Sequence, residues 1–204
     1  MAENVLKETL REWTEGLGAG ESRIAVFEHV RDMPYEIIAG IKDPIKGPAL
    51  TLEVGRGSCT PKHYLLFEMF KFLEIPVQLA TYPFYWDDPD IAYPPALKAL
   101  AEKAPLEYHL ACKAHLEGEW VLVDATFDPP LREAGFPVNL NWDGASDTQN
   151  AVKPLDEILL VDTVEHADFK KRAKEMYTEK EQEAMDEFEG ALNTWCEEVR
   201  KGAC

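Results

Sequence analysis

Residues 108–127 read YHLACKAHLEGEWVLVDATF, and this stretch decides the fold of the chain around it. Two runs of alternating hydrophobicity are separated by a turn that contains Gly118, which is the pattern of a β-hairpin. When Leu116 is paired with Glu119, one face of the hairpin carries only apolar side chains. A shift by one residue would spoil this match, so the hydrophobic pattern predicts the register as well as the hairpin.

The same register places His109 and Asp124 together on the other face of the hairpin. They are diagonal neighbours with backbones about 7–8 Å apart, which is within side-chain reach. A carboxylate at this position can orient an imidazole and prepare it to accept a proton. The alternative interpretations are a half-buried sheet histidine bonded to a backbone carbonyl, and an aspartate that caps a turn at the end of a strand.

Cys59 follows the sequence Gly-Arg-Gly-Ser and precedes Thr-Pro and a strongly periodic helix. Since proline favours the first turn of a helix, the Cys59 sulfur is expected at or just before the helix N-terminus. Backbone N–H groups and the helix dipole stabilise a thiolate there, and the Cys59 N–H is a candidate donor to an oxyanion. The alternative is a flexible glycine turn in which Cys59 only caps the helix. Together with His109 and Asp124, Cys59 completes a set of groups suited to acyl transfer.

Residues 55–126 resemble the transglutaminase-like superfamily, whose members have a papain-like core. The resemblance rests on Cys59 at a helix start, Ile75-Pro76 before a strand, His109 at the start of the next strand, and W-x-x-x-D-x-T at residues 120–126. It implies a papain-like or transglutaminase-like fold in which Cys59 is the nucleophile, His109 the general base and then acid, and Asp124 the orienting carboxylate. No metal or organic cofactor is implied.

Three positions depart from the usual pattern of this family. The family usually has Gly before the Ile-Pro, Arg shortly after it, and Trp two residues after the His, whereas this chain has Glu74, Gln78 and Ala111. These positions shape the pocket more than they affect the chemistry. The upstream segment VRDMPY, at residues 30–35, again resembles the family, but no side-chain donor to an oxyanion can be assigned before Cys59.

The rest of the sequence predicts helices around this strand-rich centre, and hence an α+β fold. Helical spacing of apolar residues occurs near both ends of the chain and after Pro61, a strand follows Pro76, and residues 39–57 are expected to form a loop with little regular structure. The whole of residues 1–204 is expected to be one domain, with a transglutaminase-like core at about residues 22–135 and a C-terminal helical extension at about residues 154–204.

The last helix of that extension has a clear sequence signature. Thr178 and Glu181 have the spacing of a capping box. An apolar stripe follows at Met185, Phe188, Leu192, Trp195 and Val199. The stripe is expected to cover the core, and a homodimer through this helix is the alternative to a monomer.

Composition excludes several classes of protein. The chain has 21 basic and 38 acidic residues and a net charge of −17, which argues against binding nucleic acid or an anionic membrane surface. No apolar run is long enough to span a bilayer, and the first residues lack the features of a signal peptide. These features predict a cytoplasmic protein. The four cysteines, Cys59, Cys112, Cys196 and Cys204, are then expected to be free thiols.

Other side chains that could carry chemistry have simpler interpretations. Cys59 and His63, with His109 or His115, would be a metal site without a second close ligand pair. His63, and likewise His29 and His166, are expected on helix surfaces. The acidic sequence Asp87-Asp88-Pro89-Asp90 lacks the spacing of a calcium loop and is expected to be solvated. The neighbouring Tyr85 and Trp86 are expected to pack, with a place in a substrate cleft as the alternative.

The sequence therefore predicts thiol-dependent acyl chemistry on an amide, as a cysteine protease or amidase or as a transglutaminase-like enzyme. The substrate would be a peptide or a small amide. Two alternatives remain: a catalytically inactive transglutaminase-like binding module, and an acyltransferase similar to the arylamine N-acetyltransferases. A thiol at Cys59 without unusual reactivity would favour the first, and acetylation of Cys59 by acetyl-CoA would favour the second.

Overall fold

The computed structural model describes residues 2–202, which form a mixed α+β structure. Cys204 lies outside the described residues. The helices are α1 (Ala2–Thr14), α2 (Ala19–Asp32), α3 (Gly47–Val54), α4 (Cys59–Phe72), α5 (Pro95–Ala101), α6 (Thr163–Glu175) and α7 (Glu179–Arg200). The strands are β1 (Val77–Phe84), β2 (Glu107–Leu116), β3 (Glu119–Val123) and β4 (Ile158–Leu160), and a 3₁₀-helix spans Pro129–Ala134.

The four strands form one antiparallel sheet in the order β3-β2-β1-β4. Leu116 pairs with Glu119 in the β2–β3 hairpin, so the register predicted from the apolar pattern is confirmed. Glu117 and Gly118 form the two-residue turn with φ angles of 50° and 96°. Positive φ at both positions matches the right-handed twist of the flanking strands.

Helix α4 packs against the apolar face of the sheet and connects it to the N-terminal helices. Its Leu65, Leu66, Met69 and Phe70 are fully buried. They contact apolar side chains of α2 and of the hairpin in one continuous core. Because α4 is covered nearly all round, its polar residues Lys62 and His63 are buried as well.

The prediction of a loop over residues 39–57 is wrong, because α3 forms within it at Gly47–Val54. Pro48 lies in the first turn of this helix, where its missing N–H costs no hydrogen bond. Gly55 ends the helix in the left-handed conformation, at φ 70°. The proline and the glycine thus delimit a short helix instead of interrupting one.

Glu74 occupies the position before Ile75-Pro76, where the transglutaminase-like family usually has glycine. Its φ angle is 59°, in the left-handed region that favours glycine. The residue ends the turn after α4, with its N–H donating to the carbonyl of Lys71 at 3.0 Å. Glu74 therefore adopts a backbone conformation suited to glycine, in which its Cβ is strained against the neighbouring backbone.

The C-terminal helix α7 buries its apolar stripe within the same chain. The capping box is confirmed, since the Thr178 N–H donates to Glu181 at 2.8 Å and the Glu181 N–H donates to Thr178 at 3.3 Å. The stripe lies in a second apolar cluster with Tyr93 and Phe136. A homodimer through this helix would therefore have to use its other face.

None of the helices formed by residues 2–202 combines the length and the apolar character needed to cross a membrane.

Candidate active site

Cys59 is the first residue of α4, and Ser58 is the N-cap, as the position of Pro61 predicted. The loop before it runs beside the segment that follows α2: the Gly57 N–H donates to Pro34 O at 3.1 Å, and the Glu36 N–H donates to Gly57 O at 3.3 Å. A Cβ on Gly57 would lie 2.9 Å from the Pro61 ring, so only glycine fits this approach without a shift of the proline.

His109 and Asp124 are in direct contact on one side of the sheet. His109 Nε2 lies 2.8 Å from Asp124 Oδ2, and both side chains are almost completely buried. Burial lowers the pKa of His109, but the charge of Asp124 and its hydrogen bond outweigh this effect and raise the pKa to about 10. Conversely, burial raises the pKa of Asp124, whereas His109 holds it well below its usual range. The pair is therefore ionised at neutral pH.

The Cys59 thiol is the second partner of His109. Burial raises the pKa of Cys59, but a hydrogen bond to His109 and its positive charge outweigh this effect and leave the pKa below that of a free thiol. Since Nε2 contacts Asp124, the Nδ1 atom is the ring nitrogen left for the sulfur. The backbone N–H of Leu110 and the charge of Lys170 lower the pKa further. The positive charge of His109 thus favours the thiolate form of Cys59.

The thiol pKa of the other two described cysteines is shifted in the opposite direction. Cys112 and Cys196 are both fully buried, whereas Cys59 is half-buried. Burial raises the pKa of Cys112 well above its usual value and that of Cys196 to about 12. They serve as internal controls for the reactivity of Cys59.

Asp124 is held by a loop that the sequence predicted only as polar and irregular. Its Oδ2 accepts the Ala151 N–H at 2.8 Å, and its Oδ1 accepts the hydroxyl and the N–H of Thr126 at 2.6 and 3.1 Å. Its own N–H donates to Thr148 Oγ1 at 2.8 Å. These donors stabilise the ionised carboxylate and fix the face that it turns toward His109.

His63 lies behind this carboxylate, and the prediction that it lies on the helix surface is wrong. The backbone N–H of Ala125 donates to His63 Nε2 at 3.0 Å, so Nε2 carries no proton. The proton is then on Nδ1, which donates to Cys59 O at 2.9 Å. Burial lowers the pKa of His63 to about 4 and keeps this ring neutral. One side chain therefore connects the backbone of Cys59 to the strand end that carries Asp124.

Lys62 is a second buried polar residue of α4 that sequence analysis did not single out. Its side chain is completely buried, and its Nζ donates to Arg31 O at 3.0 Å, Met33 O at 2.9 Å and Thr126 O at 2.6 Å. Burial lowers its pKa to about 7. It joins the end of α2 and the end of the hairpin to the helix of Cys59.

A cavity of about 520 Å³ opens beside Cys59 and His109. Aromatic side chains form much of its wall, among them Tyr35, Phe84, Trp86 and Phe127. Helix α6 contributes Lys170, Lys171 and Lys174. An apolar cavity with a few polar groups beside a nucleophile is the usual form of a small-molecule site.

Tyr35 is the residue of the VRDMPY segment that reaches this cavity. Its backbone is fixed by bonds from its N–H to Asp128 at 2.7 Å and from Arg200 to its carbonyl at 3.0 Å. Burial, followed by the negative charge of Cys59, raises the pKa of its hydroxyl well above its usual value. The hydroxyl therefore stays protonated and can donate a hydrogen bond inside the cavity.

Several other predictions are decided by the packing around the cavity. Trp86 both packs against Phe188 and lines the cavity, whereas Tyr85 is exposed. The prediction for His166 is wrong, because it is fully buried and its Nδ1 lies 2.7 Å from the hydroxyl of Tyr64. Its partner Tyr64 lies on α4, so the contact ties α6 to the helix of Cys59.

The remaining candidates are not brought into one site. Lys153 pairs with Asp88 and Asp90 at 2.7 and 2.6 Å in the acidic loop. His115 packs against Trp120 on the hairpin. No three His, Cys, Asp or Glu side chains of residues 2–202 form a group that could hold a metal ion.

Comparison with known proteins gives two weak structural similarities. A "putative cysteine protease" from Cytophaga hutchinsonii aligns with a TM-score of 0.44 and 17% identity, over 64% of this chain and 39% of that protein. A "putative protease" from Parabacteroides distasonis aligns with a TM-score of 0.40 and 16% identity, over 60% of this chain and 23% of that protein. This chain thus spans less than half the length of either.

No protein family matches the sequence, and no curated protein is similar to it.

The two residues that support the site from behind, Lys62 and His63, cannot be recognised in this role from the sequence. Lys62 and His63 follow Cys59 by three and four positions, which places them on the same helix within about one turn of it. Burial of two polar residues beside a nucleophile can be suspected from that spacing. Their partners are backbone groups of distant segments, and no residue type signals those contacts in advance.

Proposed function

We propose that this protein catalyses thiol-dependent acyl chemistry on an amide, with Cys59 as nucleophile, His109 as general base and acid, and Asp124 as the carboxylate that orients His109. The proposal rests on one observation: Cys59 and His109 line the same cavity, and Nε2 of the His109 ring lies 2.8 Å from the buried Asp124. A thiol, an imidazole and a carboxylate in this order are the groups that nucleophilic catalysis by cysteine requires.

In the first half of the reaction, the Cys59 thiolate attacks the carbonyl carbon of the amide. The oxyanion that develops would accept hydrogen bonds from the Cys59 N–H and the Tyr35 hydroxyl. The protonated Nδ1 of His109 then gives its proton to the amide nitrogen, the carbon–nitrogen bond breaks, and the amine leaves. A thioester on Cys59 remains.

In the second half, an acceptor attacks the thioester and transfers a proton to His109. Water as the acceptor releases a carboxylic acid, and an amine releases a new amide. Either way the carbon–sulfur bond breaks, and the thiolate and imidazolium are restored. We propose hydrolysis as the reaction, in a papain-like or transglutaminase-like core, with a peptide or small amide as the substrate.

The decisive experiment measures the alkylation of each cysteine by iodoacetamide from about pH 5 to 9, located by mass spectrometry. Cys59 is expected to react fast well below about pH 8.5, and His109→Ala is expected to remove this reactivity. Cys112 and Cys196 report on general accessibility in the same sample. If Cys59 reacts no faster than an ordinary thiol, the enzyme proposal fails and a binding module is the better interpretation.

A second experiment separates hydrolysis from acyl transfer. Acylation of Cys59 by 4-nitrophenyl acetate is followed by mass spectrometry, and decay of the acyl-enzyme is compared with and without glycine ethyl ester. An unchanged decay rate and free acetate support hydrolysis, whereas faster decay and an acetylated amine support transfer. Acetylation of Cys59 by acetyl-CoA would instead favour the acyltransferase alternative.

A further inference from the structure

The cavity beside Cys59 differs in charge from the rest of the chain. Its lysine and glutamate wall residues are Lys42, Lys170, Lys171, Lys174, Glu107, Glu175 and Glu189. Lysines outnumber glutamates there by one, although acidic residues outnumber basic ones by 38 to 21 in the whole sequence. The cavity is thus a locally basic site on an acidic protein.

One pair of these charges is already neutralised. Lys170 forms an ion pair with Glu107 and also donates to Tyr108 O at 3.2 Å. Both charged side chains are mostly buried, with exposed fractions of 19% for Lys170 and 12% for Glu107. This pair is part of the wall and is not free to bind a substrate.

Glu189, Lys42 and Lys174 line the same cavity. Burial raises the pKa of Glu189, the charges of Lys42 and Lys174 lower it, and Glu107 raises it, so that the pKa lies above the usual value. Within residues 2–202, neither the Lys42 ammonium nor the Lys174 ammonium lies within 4 Å of a carboxylate oxygen, and neither ammonium donates a hydrogen bond. Apart from the Lys170–Glu107 pair, the wall carries three lysines and two glutamates, and Lys42 and Lys174 line it without an ion pair of their own.

We propose that the cavity selects an acyl donor that carries a carboxylate, which Lys42 and Lys174 bind while its apolar part lies against the aromatic wall. The inference rests on the proposed function and names the substrate class of the same site. A substrate ammonium group beside Lys42 and Lys174 would be repelled, whereas a substrate carboxylate gives these two lysines an anion to pair with.

Three activated esters of similar length test the proposal: mono-4-nitrophenyl glutarate, 4-nitrophenyl butyrate and 4-nitrophenyl 4-(trimethylammonio)butyrate. In each case the Cys59 sulfur bonds to the acyl carbon, the ester carbon–oxygen bond breaks, and 4-nitrophenolate leaves. Each rate is divided by the rate of the same ester with 2-mercaptoethanol, which removes intrinsic reactivity. The glutarate ester is expected to be preferred over the butyrate ester by about fivefold at low salt, and by less at high salt.

Charge variants assign the preference to these lysines. The double variant Lys42→Met/Lys174→Met is expected to lose the preference for the glutarate ester, and Glu189→Gln is expected to increase it. The matched control is Lys98→Met/Lys103→Met, which removes two exposed lysines away from the cavity and should keep the preference. The butyrate rate of each variant checks that its site remains folded.

Failure of this inference is distinguishable from failure of the proposed function. If no ester acylates Cys59, the proposed function itself fails. If all three esters acylate Cys59 without a preference, or if the preference survives in Lys42→Met/Lys174→Met, the carboxylate proposal is overturned and the catalytic proposal stands. A preference for the trimethylammonium ester would also overturn it and would indicate that Glu189 binds a cation.

Discussion

His63 Nε2 lies 3.6 Å from Asp124 Oδ1, so a second, neutral imidazole is buried directly behind the carboxylate that faces His109. The two histidines differ only in their surroundings. The ring of His109 contacts Asp124 at 2.8 Å and has a pKa of about 10, whereas the ring of His63 is bonded to two backbone groups and has a pKa of about 4. His109 thus stays charged and His63 neutral over the physiological range.

Replacement of Asp124 by asparagine should destabilise the thiolate form of Cys59 relative to the thiol. The variant keeps the shape of the side chain but removes the charge that raises the pKa of His109. We expect the alkylation rate of Cys59 near pH 6 to fall by about tenfold or more, with the pH profile shifted toward that of a free thiol. The control is Asp147→Asn, which changes an exposed carboxylate on the loop that holds Asp124. An unchanged profile in Asp124→Asn would show that Asp124 does not set the charge of His109.

Replacement of His63 by glutamine should change how stability depends on pH. His63 takes up a proton near pH 6.5 in the unfolded chain but only near pH 4 in the folded one. Its contribution to the unfolding free energy is therefore fully present above about pH 6.5 and is lost as the pH falls to 4. Between these values the wild type should lose up to about 3 kcal/mol of unfolding free energy that the variant does not lose.

Urea denaturation at several pH values measures this difference directly. His115→Gln is the matched control, since His115 packs against Trp120 on the hairpin outside the core. Parallel curves for the wild type and His63→Gln from pH 6.5 to 4 would mean that His63 is not held neutral in the fold.

Replacement of Tyr35 by phenylalanine should slow acylation of Cys59. The variant removes a hydroxyl from the cavity and leaves the backbone bonds of residue 35 in place. If the hydroxyl donates to the oxyanion, acylation by 4-nitrophenyl acetate should fall by about 100-fold, whereas alkylation, which forms no oxyanion, should be affected much less. Tyr93→Phe removes a buried hydroxyl that does not line the cavity and is the control. Equal loss of both rates would indicate a general disturbance of the site.

Replacement of Lys62 by methionine should destabilise the protein. Methionine has a similar length but cannot donate to the three carbonyls of Arg31, Met33 and Thr126, which would stay buried without a partner. We expect a loss of about 2–4 kcal/mol of unfolding free energy by urea denaturation. Lys71→Met, on the exposed side of the same helix, should change stability by less than about 0.5 kcal/mol. A Lys62→Met loss as small as that of Lys71→Met would contradict this role.

The sequence by itself determined the hairpin, its register and the helix start at Cys59. These features depend on neighbours in the chain: alternation of apolar residues, a two-residue turn, and a proline in a first helical turn. Because one wrong step in the register would expose the apolar face, few alternatives were possible. The same reasoning placed His109 and Asp124 on one face, and the structure brings these two side chains into contact, with His109 and Cys59 lining one cavity.

Local patterns were misleading where burial depended on distant segments. His63 and His166 look like surface residues on amphipathic helices, yet both are fully buried because other parts of the chain cover them. The sequence does not indicate helix α3, because Pro48 and Gly55 are typical of a loop, although here they stand at the two ends of the helix. Whether a polar side chain is covered, and whether a proline starts or breaks a helix, is decided by packing.

Only the tertiary structure decided the surroundings of the three candidate residues. The donors to Asp124 come from residues up to 27 positions away, and the carbonyls that bind Lys62 come from segments up to 64 positions away. The lysines of the cavity wall come from the loop before α3 and from α6. Contacts over such separations leave no local periodicity, because they depend on the free energy of the whole packed chain rather than on the conformation of neighbouring residues.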